Sequence, residues 1–214
     1  RVSKITQHFD SIEFSTQKRE FKTETGMYKG KRLTVQSTGI GPDNIDIVLN
    51  ELDALVNVDL NTREIKPNHT ALNIVRIGTS GSLQADIPVD SWVMSKYAIG
   101  LDNMLRSYLI EEHSVAELED AFIAQTNWDL RKGRPTVVPC AEALENKIYS
   151  DKFHKGFTGT AGGFYGPQGR VVRLNIQDPQ LNSKMDAFNF NGTRMTNLEM
   201  ETSAIYGLGK LLGH

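Results

Sequence analysis

The sequence predicts an α/β domain three layers deep, with a mixed central sheet between two layers of helix. Three observations predict it. Runs rich in β-branched residues alternate with runs of helical period along most of the chain, the pattern of a sheet covered by helices. Three of the apolar runs end in short polar, Gly-rich turns: STGIG at 37–41, RIGTSGS at 76–82 and GTAGGFYG at 159–166. No repeat, low-complexity tract or linker interrupts the 214 residues, so one domain over 1–214 is expected, with a single core.

The elements follow in order. RVSKITQHF starts at once in helical rhythm, with Val2, Ile5 and Phe9 on one side. KRLTVQSTGIG (31–41) is a β-branched strand entering a glycine turn. PDNIDIVLNELDALV (42–56) repeats Ile45, Val48, Leu49, Leu52, Leu55 and Val56 at helical spacing, with Asp43 as its N-cap,. Residues 57–70 are polar, lack a period and read as a loop. Strands are expected over 71–84 and 90–100. SVAELEDAFIAQ (114–125) carries a capping box, Ser114 with Glu117, ahead of a helix,. PTVVPC (135–140) is a short strand and AEALENKIY (141–149) a helix. A Thr/Gly-rich strand spans 154–163, another spans 193–201, and a helix closes the chain. Both ends stop within a helical rhythm, so the domain is expected to be truncated at each.

Composition narrows the function. A net charge of −2 gives no electrostatic case for nucleic acid or a membrane surface,. No apolar run approaches the ~18 residues of a spanning helix. A lone cysteine, Cys140, rules out an internal disulfide and fits a reducing, cytoplasmic setting. The five histidines, at 8, 69, 113, 154 and 214, show no metal-ligand spacing, so no metal site is expected,.

Four motifs carry chemistry. STGIGP is either a strand-to-helix turn or half of a nucleotide loop, since Asn44 breaks the G-x-G-x-x-G pattern,. Arg76 lies in the otherwise apolar run NIVRIG, where a charge needs an anion,. That anion is either a ligand or an internal carboxylate. Thr79, Ser80 and the turn amides after it suit a phosphate,. Glu199 and Glu201, flanking Met200, are either a dipole-stabilised pair at a helix start or acceptors for sugar hydroxyls. In GGFYGPQGR a Gly-Pro turn holds Gln168 and Arg170 two residues apart, an arrangement suited to the edge of a flat polar ring.

Together RIGTSG, FYGPQGR and NLEMETSA resemble the nucleoside phosphorylase family, closest to its uridine phosphorylase branch. The family's R-E-F, S-T-G-I-G, R-I-G-T-[ST]-G, F-Y-x-x-Q-x-R and [NE]-x-E-M-E segments all occur in order, and Arg1-Val2 matches the tail of its G-D-P-x-R-V. The resemblance covers essentially the whole chain and implies a phosphorylase/hydrolase-like fold. It implies phosphate binding by Arg1, Arg19, Arg76 and Thr79, with Arg19 of KREF supplied by a neighbouring subunit. It implies base contacts from Ser80, Gly81, Phe164, Gln168 and Arg170, and ribose contacts from Glu199, Met200 and Glu201. Arg76, Gln168 and Arg170 would be the catalytic residues. Inorganic phosphate is the implied co-substrate, and no organic cofactor or metal is implied. Some members hold a monovalent cation near the glutamate matching Glu20, yet GIGPDN departs from their G-I-G-G-P-S loop. The implied activity is phosphate-dependent cleavage of uridine by a homo-oligomer, dimer or hexamer, with shared sites. Alternatives are a purine phosphorylase, a nucleosidase or a nucleoside-binding protein without turnover.

Overall fold

The structure, a computed structural model, describes residues 1–214. The chain divides into two units, Arg1–Ile40 and Gly41–His214. The boundary falls inside STGIG, a stretch whose composition does not mark a linker.

The first unit is a short helix α1 (Val2–Thr6) on an antiparallel meander of β1 (Ser11–Lys18), β2 (Phe21–Tyr28) and β3 (Lys31–Gln36). β1 and β2, which carry no element signal read from the sequence, form a hairpin whose two-residue turn is Arg19-Glu20. Arg19 takes φ +52° there, at an exposed tip. The second turn, Lys29-Gly30, has φ of +47° and +76°, the paired left-handed geometry that matches strand twist. Glu24 is the unit's polar anchor. It accepts from the Thr6 hydroxyl and pairs with Lys22 at 2.9 Å. These contacts, the Thr6 bond foremost, hold its carboxyl below the ordinary range.

The second unit is built on a mixed sheet. Its path is β10 (Asn189–Phe190), β11 (Thr193–Glu199), β9 (Phe153–Thr160), β7 (Trp92–Gly100) and β8 (Thr136–Pro139), with β6 (Gly81–Ser82) also pairing β11. β9 runs parallel to both β7 and β11, so three strands end together at Gly100, Thr160 and Glu199. β8 and β10 are antiparallel edges. One face buries Ile99, Val137, Phe157 and Met195 beneath α3 (Ala116–Thr126) and α5 (Leu181–Ala187), which supply Phe122 and Met185. Phe188 stands edge-on to both Phe122 and Phe157, at 5.2 and 5.3 Å. Each buried ring contributes about 1.5–3 kcal/mol. Strand alternation puts Ala98, Val138 and Thr158 on the opposite face, where α6 (Thr202–Leu211) packs on β7, β8 and β9. α2 (Pro42–Asn57) packs against α6 and buries Ile45, Val48 and Leu49. α4 (Glu142–Ile148) lies between β8 and β9 in the chain. No helix is long and apolar enough to cross a membrane.

Several local expectations need correcting. Residues 71–80 are not a strand. They alternate exposed and half-buried from Ala71 to Ile77, a strand's period, but join no ladder before Gly81. Periodicity reads extended backbone, whereas a strand also needs a cross-strand partner. Gly41, not Asp43, is the N-cap of α2, with φ +94° and Pro42 at the first helical position. The proline fixes the helix start and moves Asp43 into the first turn. The Ser114–Glu117 box does not form. The Ser114 hydroxyl donates instead to the Glu111 carbonyl at 3.4 Å, and Val115 occupies the cap position. The 57–70 loop contains a two-residue ladder of β4 (Val58–Asp59) and β5 (Glu64–Ile65).

Candidate functional site

Where β7, β9 and β11 end together, four sequence motifs meet. β11 leads directly into α6, whose N-cap is Glu201. The first amides of a helix lack internal acceptors, and Glu199 supplies them. Its carboxylate accepts from the backbone N–H of Glu201 at 2.8 Å and of Thr202 at 2.9 and 3.1 Å. It also accepts from the Thr160 hydroxyl at 2.6 Å. Thr160 in turn accepts the Ser203 N–H at 2.9 Å. Arg76 Nη2 completes the set at 3.0 Å. A carboxylate has about four lone-pair sites, so the acceptor capacity of Glu199 is engaged by the protein. In this geometry Glu199, one of the residues expected at the ribose, supports the helix start.

Glu201 is placed differently. One oxygen accepts the Gly41 N–H at 2.8 Å, and the other takes Arg76 Nη2 at 2.5 Å. STGIG, RIGTSG and NLEME are therefore joined through a single carboxylate. Arg76 finds the internal carboxylates that the apolar run requires. Both contacts use Nη2, and a guanidinium carries five N–H donors, so the fork is oriented rather than exhausted. Gly78 lets the fork fold beneath the turn, since a Cβ there would lie 2.7 Å from its carbon and terminal nitrogens.

The fourth motif reaches the same turn. Arg170 Nη2 lies 3.1 Å from where a Cβ on Gly81 would sit. This brings FYGPQGR against RIGTSG. Gln168 is buried, within a short 3-10 turn over Gly166–Gln168. Its Oε1 accepts from Arg170 Nη1 at 2.5 Å, and its Nε2 donates to the Gly163 carbonyl at 3.2 Å. Arg170 Nη1 also donates to the Phe164 carbonyl at 2.8 Å, while its guanidinium sits 4.2 Å over the Phe164 ring. Amide, guanidinium and aromatic ring thus form one cluster, with the guanidinium bonded to the amide and lying over the ring. Gly169, at φ +70°, is the residue that lets the chain turn between Gln168 and Arg170,.

Thr79 and Ser80 are exposed on the RIGTSG turn, and Met200 is half-buried between the two glutamates. Arg1, Arg19 and Glu20 belong to the first unit. Sequence reasoning missed two contributors. Thr160, which ties Glu199 to α6, ends a Thr/Gly strand and carried no separate signal. Asp102 follows β7 in GLD, and its position just past a strand's carboxyl end could have flagged it. Its Oδ2 is buried without a hydrogen-bond partner. Burial, with smaller repulsion from Asp43 and Glu199, pushes its carboxyl above the ordinary range.

Residues 1–214 match the phosphorylase superfamily. A uridine phosphorylase of Thermococcus kodakarensis is 29% identical over 220 residues, covering all of this chain and 65% of that protein. The chain therefore spans under two thirds of that relative. A DeoD-type purine nucleoside phosphorylase of Thermoanaerobacter is 42% identical over 71 residues, 33% of this chain and 25% of its own length. Among solved structures, a Trypanosoma brucei nucleoside phosphorylase described as showing uridine phosphorylase activity has a TM-score of 0.84 at 31% identity, covering 100% of this chain and 77% of that one. A uridine phosphorylase from Vibrio fischeri, at 21% identity and a TM-score of 0.58, shares the fold over all of this chain and 70% of its own.

Proposed function

We infer the activity from one premise: the chain belongs to the phosphorylase superfamily. Its function is that of a uridine phosphorylase, which cleaves the N-glycosidic bond of uridine with inorganic phosphate to give uracil and ribose 1-phosphate. The observation that carries this reading is the buried Gln168 amide joined to the Arg170 guanidinium beside Gly81. The uracil edge offers acceptor, donor, acceptor. A glutamine amide can accept from the ring N–H and donate to one carbonyl, and the guanidinium can donate to the other.

On this reading Arg76 and Thr79 hold phosphate, joined by Arg1 and by Arg19 from a neighbouring subunit. An exposed hairpin tip suits that last role. Ser80, Gly81 and Phe164 border the base. Glu201 and the Met200 backbone hold the ribose hydroxyls, and Glu199 positions Glu201 and Arg76. A phosphate oxygen attacks C1′ as the bond from C1′ to the base nitrogen breaks. The bonding pair leaves with uracil, and the negative charge spreads onto its carbonyls. Donors aimed at such charge are worth ~2.7–4 kcal/mol each. Residues 1–214 belong to one phosphorylase domain of a homo-oligomer in the cytoplasm. The reaction needs no organic cofactor. A monovalent cation near Glu20 finds no support in the GIGPDN loop.

A second reading, a purine phosphorylase, rests on the partial match to DeoD-type proteins. Ultraviolet monitoring of uridine, inosine and adenosine, each with and without phosphate, separates the cases. Uridine cleavage that requires phosphate is expected. Equal rates without phosphate would indicate a nucleosidase, preference for inosine or adenosine a purine enzyme, and binding without turnover a carrier. Arg170→Ala should lower kcat/KM for uridine by roughly one to two powers of ten and Gln168→Ala by less, because bonds to charged groups contribute about 1.5–3 kcal/mol and neutral ones about 1.

A further inference from the structure

Beyond the C-terminal end of α6, the fold gathers two histidines and an aspartate. His214 lies just past that helix, His69 at the end of the 57–70 segment, and Asp53 on α2. One ligand atom from each lies within 4.8 Å of the others. His214 Nε2 is 3.4 Å from Asp53 Oδ1, and the two imidazole rings stack at 5.8 Å.

We propose that Asp53, His69 and His214 form a binding site for a divalent transition-metal ion, with zinc as the occupant. Four features support it. The His214 side chain is 1% exposed, yet its Nε2 is a buried polar atom with no hydrogen-bond partner. Nδ1 accepts the Leu72 N–H, so Nε2 carries the ring proton, and a metal ion would take that proton's place on a nitrogen that has no other partner,. Two nitrogens and one carboxylate oxygen are a zinc donor set, with a fourth position for water, and not the all-oxygen set that magnesium or calcium takes. His69 is exposed and opens the cluster to solvent. The surroundings also hold the ligands in place. Asn57 donates to Asp53 Oδ1 at 2.6 Å and to the Thr70 carbonyl at 3.2 Å, while accepting the Thr70 N–H at 2.7 Å. His69 Nε2 donates to the Leu212 carbonyl at 3.0 Å, which leaves Nδ1 with its lone pair. Gly213, at φ +75°, lets that ring lie close, since a Cβ would sit 3.1 Å from His69 Cε1. Such outer partners fix ring orientation in metal sites.

Metal capture at His214 Nε2 moves the ring proton to Nδ1. The long bond that Nδ1 accepts from the Leu72 N–H, 3.3 Å, is given up in exchange. The bound ion would staple α2, the 57–70 segment and the chain beyond α6.

The test uses chelator-treated full chain titrated with zinc chloride, and separately with magnesium chloride, by calorimetry and thermal melting. One zinc per chain is expected, with a raised melting temperature and no response to magnesium. His69→Ala, at an exposed position, should weaken zinc binding at least tenfold, since losing even an outer partner costs about 10–100-fold. Asp53→Asn should do the same. Absence of saturable zinc binding to the unaltered chain overturns the proposal. So does one equivalent of zinc that persists in both His69→Ala and Asp53→Asn, which would place the ion elsewhere.

Discussion

The two ends of α6 gather charge in opposite ways. At the N-terminal end Glu199 and Glu201 receive backbone amides, a threonine hydroxyl and a guanidinium. That end of a helix favours anions, and the partners named there are all donors. At the other end the His214 imidazole meets one carboxylate at 3.4 Å and leaves Nε2 unpaired. Burial, only partly offset by Asp53, holds that ring below the ordinary histidine range, so it stays neutral. The contrast teaches that charge alone does not make a prepared site. Glu199 is saturated and Glu201 is oriented by Gly41 and Arg76 with acceptor capacity to spare,, whereas the C-terminal ring is held by far fewer partners.

The strongest way to break this comparison is Arg76→Ala, which takes the cation from both glutamates at once. It should raise the phosphate KM and lower kcat/KM by roughly one to two powers of ten, because a guanidinium bond to an anion contributes about 1.5–3 kcal/mol. Steady-state kinetics with phosphate varied would show this. A lower melting temperature with unchanged phosphate saturation would make Arg76 only a structural partner of the glutamates.

Glu199→Gln tests whether the helix start depends on the anion. The amide keeps the shape but loses the charge facing the first N–H groups and Arg76. A cost of about 1–2 kcal/mol is expected. At ~2–4 °C per kcal/mol for a chain of this size, calorimetry should record a drop of roughly 2–8 °C. An unchanged melting temperature would mean that Thr160 and the backbone suffice.

The smallest effect concerns Asp102, whose Oδ1 accepts the Met104 N–H at 2.9 Å while its Oδ2 is buried without a partner and Asp43 and Glu199 repel its charge. Its folded pKa is raised, so the native state holds this proton more tightly than the unfolded chain does. Its contribution favours folding below the ordinary value of 3.8 and is lost as pH rises through the folded value. Asp102→Asn should therefore melt slightly higher at pH 7 and show a flatter acid profile. A lower melting temperature at pH 7 would show that the ionised carboxylate has a partner worth keeping.

The sequence by itself determined the alternation of strands and helices, because burial in a layered fold imposes periods of 2 and 3.6 on the side chains themselves. It also determined the site motifs, since Arg76 in an apolar run and Gln168 next to Arg170 are local chemical statements. Cap positions were less legible. Gly41 displaced Asp43 because a proline at the first helical position outranks a side-chain acceptor, and Ser114 found a nearer carbonyl. Residues 71–80 carry a strand's alternation, but a ladder depends on what lies alongside. Only the tertiary structure decided how Glu199 and Glu201 divide their roles, because both sit in one short motif and differ only in which amides reach them. Only it brought His69 and His214 onto Asp53. Those residues have no spacing relation along the chain, and their distance is set by the packing of α2 against α6, a contact that no local pattern encodes.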